Sequence, residues 1–272
     1  HCKDCGEVLA AQEVVPAKGH DYVGEVTTEP TCTEEGEKTY TCSLCGDVME
    51  EREVVPAKGH DYENAVPVVT RATVSADGRS VLKCPDCGAE LSDPVVIYKA
   101  SKVSLAKTSY TYDGKVKTPA VNVKDSKGQA IDPAYYTVKW SSGRKNVGTY
   151  TCTITFKGNY SGKVSKSFKI NPKNTTIYAP AASSKAFTAK WKKLTTKMAT
   201  STITGYEVRY STKSSMASAK TKTVKGYAKT SVKIGSLKGG TRYYVQVRTY
   251  KVVGGVKYVS GLSAKKTVTT KR

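Results

Sequence analysis

In the second half of the chain, apolar positions alternate with Lys, Thr and Ser at a period of two, the pattern of half-buried β-strands. Within Gly148 to Phe156, the residues Tyr150, Cys152, Ile154 and Phe156 share one parity and are predicted to face a core. Tyr243, Val245 and Val247 do the same in the stretch 243–250, which turns Tyr244, Gln246 and Arg248 toward solvent. Further strands are predicted at 137–140, 163–170, 186–191, 205–210, 221–224, 231–234 and 256–259, with Gly239-Gly240 and Gly254-Gly255 as hairpin turns. No stretch has helical periodicity, and no apolar run approaches the ~18 residues of a membrane-crossing helix. The predicted class is all-β, without membrane insertion.

The first part of the chain has a different organisation. Ten residues, Glu13 to Tyr22, recur unchanged as Glu53 to Tyr62, and the Cys-x-x-Cys-Gly that starts at Cys2 recurs at Cys42. A third copy is altered: Ala76-Asp77-Gly78 stands for Glu34-Glu35-Gly36, and Cys84-Pro85-Asp86-Cys87-Gly88 for Cys42-Ser43-Leu44-Cys45-Gly46. Each unit reads as short strands around a Cys-x-x-Cys turn, with 38–41 leading in and 48–55 leading out. Units of about 40 residues cannot bury a core alone and usually belong to arrays. The copies stop between Val95 and Ser104, and a second boundary falls at Asn171 to Asn174, giving three parts: 1–97, 98–172 and 173–272. The chain is expected to work beside other domains of a longer protein.

Charge follows the same division. Residues 1–97 hold 8 basic and 19 acidic side chains, a net −11, while 98–272 hold 36 and 4, a net +32. The basic part would attract polyanions such as cell-wall polymers. Its Lys residues also alternate with Val, Thr and Ile and would solvate the outer strand faces. No basic cluster is interleaved with base-stacking aromatics, so nucleic acid is not an expected partner.

Seven of the eight cysteines lie in the repeats, Cys2, Cys5, Cys32, Cys42, Cys45, Cys84 and Cys87, together with all three histidines. A Cys-x-x-Cys-Gly turn sets two thiolates on one side of a tight loop, and its Gly can take the positive φ that aims backbone N–H groups at sulfur. The middle unit can complete a four-ligand site from Cys32, Cys42 and Cys45 with either His60 or His20. His60 is preferred, because its Gly-His follows that knuckle as His20 follows Cys2 and Cys5. If each His serves the next knuckle instead, His60 joins Cys84 and Cys87. The third copy has Val74 where Cys32 aligns and no later His. A closed four-ligand site implies structural zinc, with no position left for a reactive water. Disulfides are the competing outcome in an oxidising compartment. Cys152 reads as a buried small hydrophobe.

Nothing in the chain assembles a catalytic set. A Ser/His/Asp arrangement would need a His outside the repeats. Glu34-Glu35-Glu37 and Glu50-Glu51-Glu53 read as solvated faces, so the chain is not expected to be an enzyme.

Trp191, Tyr206, Tyr210 and the stretch Leu237 to Val247, with Tyr243 six positions after Leu237, resemble a fibronectin type III domain. Ser109 to Gly114, Asn146 to Tyr150 and Lys157 to Gly162 resemble a bacterial immunoglobulin-like domain. Gly19-His20, Pro30 to Gly36 and Cys42 to Gly46 resemble repeats of secreted proteins of Gram-positive anaerobes, and Cys84 to Gly88 is similar to a rubredoxin-like knuckle. These resemblances imply Cys/His repeats followed by two β-sandwiches, in a secreted or bacterial cell-surface protein. The expected role is a non-catalytic spacer that projects or supports other domains. The alternatives are an adhesin that binds a host protein of the immunoglobulin or mucin class, and a module retained on cell-wall polyanions.

Overall fold

The computed structural model describes residues 3–7 and 13–272. It divides into two compact units, one formed by residues up to 69 with 80–95, the other by 70–79 with 96–272. Both are built almost wholly of strands.

In the first unit, β1 (Tyr22–Thr28), β2 (Gly36–Cys42) and β3 (Glu53–Val55) form a sheet in that order. β4 (Val66–Thr70), β5 (Gly78–Lys83) and β6 (Val95–Ile97) form a sheet with the same order. β1 and β2 are antiparallel, with Tyr22 opposite Cys42 and a bulge near Val26. Their connection requires glycine: a Cβ on Gly36 would stand 2.3 Å from the Thr28 carbonyl oxygen, and one on Gly78 2.3 Å from that of Thr70. The predicted 48–55 strand is shorter in the structure, because Val48 makes only an isolated bridge to Thr41 before Glu50, Glu51 and Arg52 turn out to solvent. Glu37 and Glu53 are not purely solvated faces, since Arg52 pairs with Glu37 at 2.8 Å and Lys38 with Glu53 at 3.2 Å. Such exposed pairs add little stability. Apolar side chains are poorly covered here: Val23, Val54 and Val66 are all exposed.

The second unit contains two sandwiches. In the first, β7 (Lys102–Leu105) and β9 (Val121–Lys124) form one sheet, and β8 (Ser109–Thr111), β10 (Tyr136–Trp140), β11 (Gly148–Phe156) and β12 (Lys163–Asn171) form the other, ordered β10-β11-β12-β8. The parity of β11 is as the alternation requires, with Cys152, Ile154 and Phe156 buried against Val103, Val123 and Ile131. The 70–79 loop packs on this sandwich by backbone pairing: the Ala72 amide donates to the Asn159 carbonyl at 3.0 Å, and the Ser161 amide to the Ala72 carbonyl at 2.9 Å.

The second sandwich has β13 (Ala181–Ser183), β14 (Ala186–Lys190) and β17 (Ser231–Ile234) on one side. Opposite lie β15 (Gly205–Ser211), β16 (Lys220–Lys225), β18 (Arg242–Val253), β19 (Val256–Val259) and β20 (Lys266–Thr269), with β16-β15-β18-β19 in order and β20 paired to β18. Tyr243, Val245 and Val247 are buried as expected. Tyr244, Gln246 and Arg248 are half-buried rather than free in solvent; Gln246 donates to the Ser263 carbonyl, and Arg248 donates to Glu207. Gly254-Gly255 closes the β18–β19 hairpin with positive φ at both residues. Gly239-Gly240 closes no hairpin, because β17 and β18 belong to opposite sheets and the turn crosses between them. The Lys238 amide donates to the Tyr243 hydroxyl at 3.2 Å across that crossing. The two sandwiches share a junction: Val147 of the first is buried in the core of the second, and the Thr149 and Tyr258 hydroxyls lie 3.0 Å apart.

Ala72→Pro removes the donor to Asn159 and leaves a carbonyl unmatched, a cost of about 1–3 kcal/mol. Hydrogen exchange at the Ser161 amide is expected to accelerate by roughly one to two orders of magnitude, with β18 amides unchanged.

Glu207 carries a carboxylate only 4% exposed, held by Arg248 at 2.7 Å and by Lys257. Burial works against its charge, but the two cations prevail and hold its carboxyl below the usual range. Its contribution to stability is therefore present above the unfolded carboxylate pKa of about 4.3 and lost as pH falls through the lower folded value. Glu207→Gln is expected to lower the urea midpoint clearly at pH 7, and the gap from the parent protein to narrow by pH 3.

Candidate metal centres

The register of β1 against β2 determines where the first group of ligands forms. Tyr22 lies opposite Cys42, so the residues just before β1 stand beside the turn that follows β2. That turn is tied by the Cys42 amide to the Asp47 carbonyl at 2.7 Å and the Gly46 amide to the Cys42 carbonyl at 2.9 Å. Gly46 has φ +76° with open space at its Cβ position, so it is conformation and not crowding that requires glycine. The turn after β5 repeats the arrangement, with Cys84 amide to Ala89 carbonyl and Gly88 amide to Cys84 carbonyl both at 2.9 Å, and φ +74° at Gly88.

Two groups of ligand atoms result, each lying within 4.8 Å of one another: Cys32, His60, Cys84 and Cys87 in one, and His20, Cys42 and Cys45 in the other. In the first, the Cys32 and Cys84 sulfurs are 3.9 Å apart and Cys87 Sγ is 3.3 Å from His60 Nδ1. A tetrahedral ion with metal–sulfur bonds of ~2.3 Å separates neighbouring sulfurs by about 3.8 Å, so the Cys32 and Cys84 sulfurs are spaced as two ligands of one ion would be. The same 3.9 Å is nearly twice a disulfide bond length of ~2.05 Å, and the described cysteines are free. In the second group, Cys45 Sγ is 3.3 Å from His20 Nδ1, and the His20 ring stacks on Tyr22.

Electrostatics differ among the sulfurs. At Cys84 the backbone N–H groups of Cys87 and Asp61 favour the thiolate and prevail over burial, with the thiol pushed down to about 6. Burial opposes the charge at Cys42, but the Leu44 and Cys45 amides, His20 and the Asp21 amide outweigh it, again to about 6. Cys45 moves upward: the Asp47 amide favours its thiolate, but the hydrogen bond with Cys42 and burial prevail. Cys32 is pushed up to about 12, first by burial and then by its hydrogen bonds with Cys87 and Cys84. In each knuckle, backbone N–H groups thus favour the thiolate at one sulfur, and a bound cation would favour it at the others.

The preferred grouping of Cys32, Cys42 and Cys45 with His60 is not the one assembled. Cys32 and His60 stand with Cys84 and Cys87, while His20 stands with Cys42 and Cys45. The cause is the hairpin: Gly-His leads into the next antiparallel pair and so faces the knuckle ahead of it. Cys32 reaches His60 because the Lys58 and Gly59 amides donate to the Thr31 and Cys32 carbonyls at 2.9 and 3.1 Å. Cys5 is exposed and joins no group of three among the described residues. Cys2 lies outside the described residues. Cys152 is fully buried in the first sandwich, where burial pushes its thiol up.

Alkylation should read this grouping directly. In metal-loaded protein, Cys32→Ala is expected to raise iodoacetamide labelling of Cys84 and Cys87 by about tenfold or more and to leave Cys42 and Cys45 as they were. Peptide mass spectrometry measures both, with buried Cys152 unlabelled throughout.

The sequence model of the family described as Fibronectin type III domain matches residues 170–263. No curated protein matches the chain. Among solved structures, the fn3 domain of human contactin 1 is similar at 19% identity over 37% of this chain and 78% of its own, with a TM-score of 0.31. The chicken CNTN1 FN1-FN3 domains are similar at 14% identity over 93% of this chain and all of theirs, with a TM-score of 0.33. The match covers β13 to β19 in full, and the second sandwich is a fibronectin type III domain.

Proposed function

We propose that this chain is a non-catalytic spacer of a secreted or bacterial cell-surface protein, in which structural zinc cross-links successive Cys/His repeats ahead of an immunoglobulin-like and a fibronectin type III domain. One observation carries this reading: Cys32, from the β1–β2 connection, and His60, which follows β3, meet Cys84 and Cys87 at the turn after β5. Three sulfurs and one imidazole nitrogen form a closed set suited to zinc, which contributes folding energy where it is structural. Such a site joins modules whose own apolar side chains stay largely in solvent. The shared junction of the two sandwiches, with Val147 buried in the second core, serves the same end by apolar contact.

The adhesin reading by strand addition has less support. β16, at the edge of its sheet, exposes Lys220, Lys222 and Lys225, and lysine at an edge discourages pairing with another strand. Retention on polyanions rests on net charge, and these same lysines serve equally as a solvated face.

Native mass spectrometry with and without chelator tests the proposal. Bound zinc is expected, and chelator is expected to speed exchange in β1 to β5 while β11 and β18 keep their protection. A chain that takes up no zinc, or one whose repeats are equally protected without it, would overturn the reading.

A further inference from the structure

In the fibronectin type III domain, the loop after β15 and the crossing from β17 to β18 enclose a cleft of about 340 Å³. That is near the small end of the ~300–1,000 Å³ of ligand pockets, a size for one ring and not for a polymer. Tyr210, Leu237 and Tyr243 supply its apolar surface, and Lys213, Lys220 and Lys238 line it as well. No carboxylate lines it among the described residues, and none of these three ammonium groups forms an ion pair there. Tyr243 is only 7% exposed. Its hydroxyl accepts the Lys238 amide at 3.2 Å, and its own proton has no acceptor among the described residues, which leaves one buried donor for a ligand.

The backbone around the cleft is held in uncommon conformations. Among the described residues five non-glycine residues have positive φ, and three of them are here: Met216 at 61°, Ser218 at 53° and Ser236 at 55°. Such conformations persist only where the surroundings fix them, and they gather at ligand sites. The Ser211 hydroxyl fixes the first loop by donating to the Ala217 carbonyl at 2.9 Å and accepting from the Lys213 amide at 3.1 Å. The Lys265 ammonium donates to the Ser214 carbonyl at 2.7 Å, and the Leu237 amide to the Lys185 carbonyl at 2.9 Å. The walls therefore stand ready without a ligand, which lowers the cost of ordering them on binding.

We propose that this cleft binds a single acidic sugar, a hexose ring that carries a carboxylate or a phosphate. The tyrosine and leucine side chains cover the C–H face of the ring, the lysines take the acid, and the Tyr243 hydroxyl donates to a ring oxygen. Lysines act as point charges without the fork of a guanidinium, so they accept either acid. The site is independent of the metal reading, because its residues and the metal ligands lie in different units.

Amide NMR titration of the full chain at physiological ionic strength provides the test, with glucuronate, glucose 6-phosphate, glucose and inorganic phosphate as probes. Glucuronate or glucose 6-phosphate is expected to shift the Ser218, Ser236 and Lys238 amides to saturation, and whichever binds identifies the acid. Lys220→Gln combined with Lys238→Gln should weaken that binding about tenfold or more, with amides away from the cleft unmoved as the check that the domain is folded. Lys163→Gln with Lys169→Gln makes the same change of charge on exposed positions of β12 and should leave binding unaltered. Equal weakening by the β12 pair would assign the effect to net charge and overturn the proposal. Glucose binding as tightly as the acids, inorganic phosphate binding as tightly as glucose 6-phosphate, or no shift at the cleft amides would each overturn it too.

Discussion

Two backbone hydrogen bonds, from the Lys58 and Gly59 amides to the Thr31 and Cys32 carbonyls, set the geometry on which the repeats depend. They hold a loop of one module against the entry segment of the next, and so bring Cys32 to the His60 side of a knuckle more than 50 residues ahead of it in sequence. Three strands of three to seven residues cannot bury enough apolar surface to offset the entropy of ordering them. A cross-link made at that contact acts where the modules have least packing of their own. Sulfur that accepts backbone N–H hydrogen bonds is suited to it, since metal ligands must be deprotonated and those donors favour the thiolate at Cys42 and Cys84.

The third copy shows how the same loop is adapted when no knuckle follows. Its turn is conserved in detail: the Thr73 amide bonds the Ala76 carbonyl as Thr31 bonds Glu34, and the Ala100 amide bonds the Thr73 carbonyl as Lys58 bonds Thr31. Three substitutions change its use. Val74 stands for Cys32, Lys102 for His60, and Ala72 for Pro30. The last is the most informative, because proline has no N–H to donate. Ala72 has one, and it is the donor to Asn159. What reads in the sequence as decay of the repeat is therefore the loss of a candidate ligand position together with the gain of strand-like backbone pairing.

Strand positions in the sandwiches were legible because one face is buried and the side-chain period is two; Gly148–Phe156 and Val256–Val259 have the limits that alternation predicts. Pairing was less legible. Gly239-Gly240 has the composition of a hairpin turn, but whether a turn joins neighbours or crosses between sheets depends on contacts distant in sequence. The short β13 and β20 carry too few apolar residues for a pattern. At the metal centres, ligand types and knuckles were visible as motifs, while their grouping was decided by hairpin register. The available signal was the identical decapeptide: residues that lead into a strand pair face the end of that pair, and so His20 belongs with Cys42 rather than with Cys5.

Along the chain, one device recurs with three chemistries. A loop carries a small buried side chain against elements distant in sequence: Cys32 beside the next knuckle, Ala72 against Asn159 within the second unit, and Val147 within the core of the fibronectin type III domain. The chemistry of each contact follows what the receiving module lacks or has. A three-stranded repeat has almost no core, and the contact there brings together thiols and an imidazole, groups that a bound ion would tie together. The first sandwich has its own core, and a short run of backbone hydrogen bonds suffices. Two sandwiches of comparable size can merge apolar surface, and there Val147 enters a core that already contains Phe187, Trp191 and Tyr206. The ligand groups that could hold a metal thus lie in the part of the chain that buries least apolar surface.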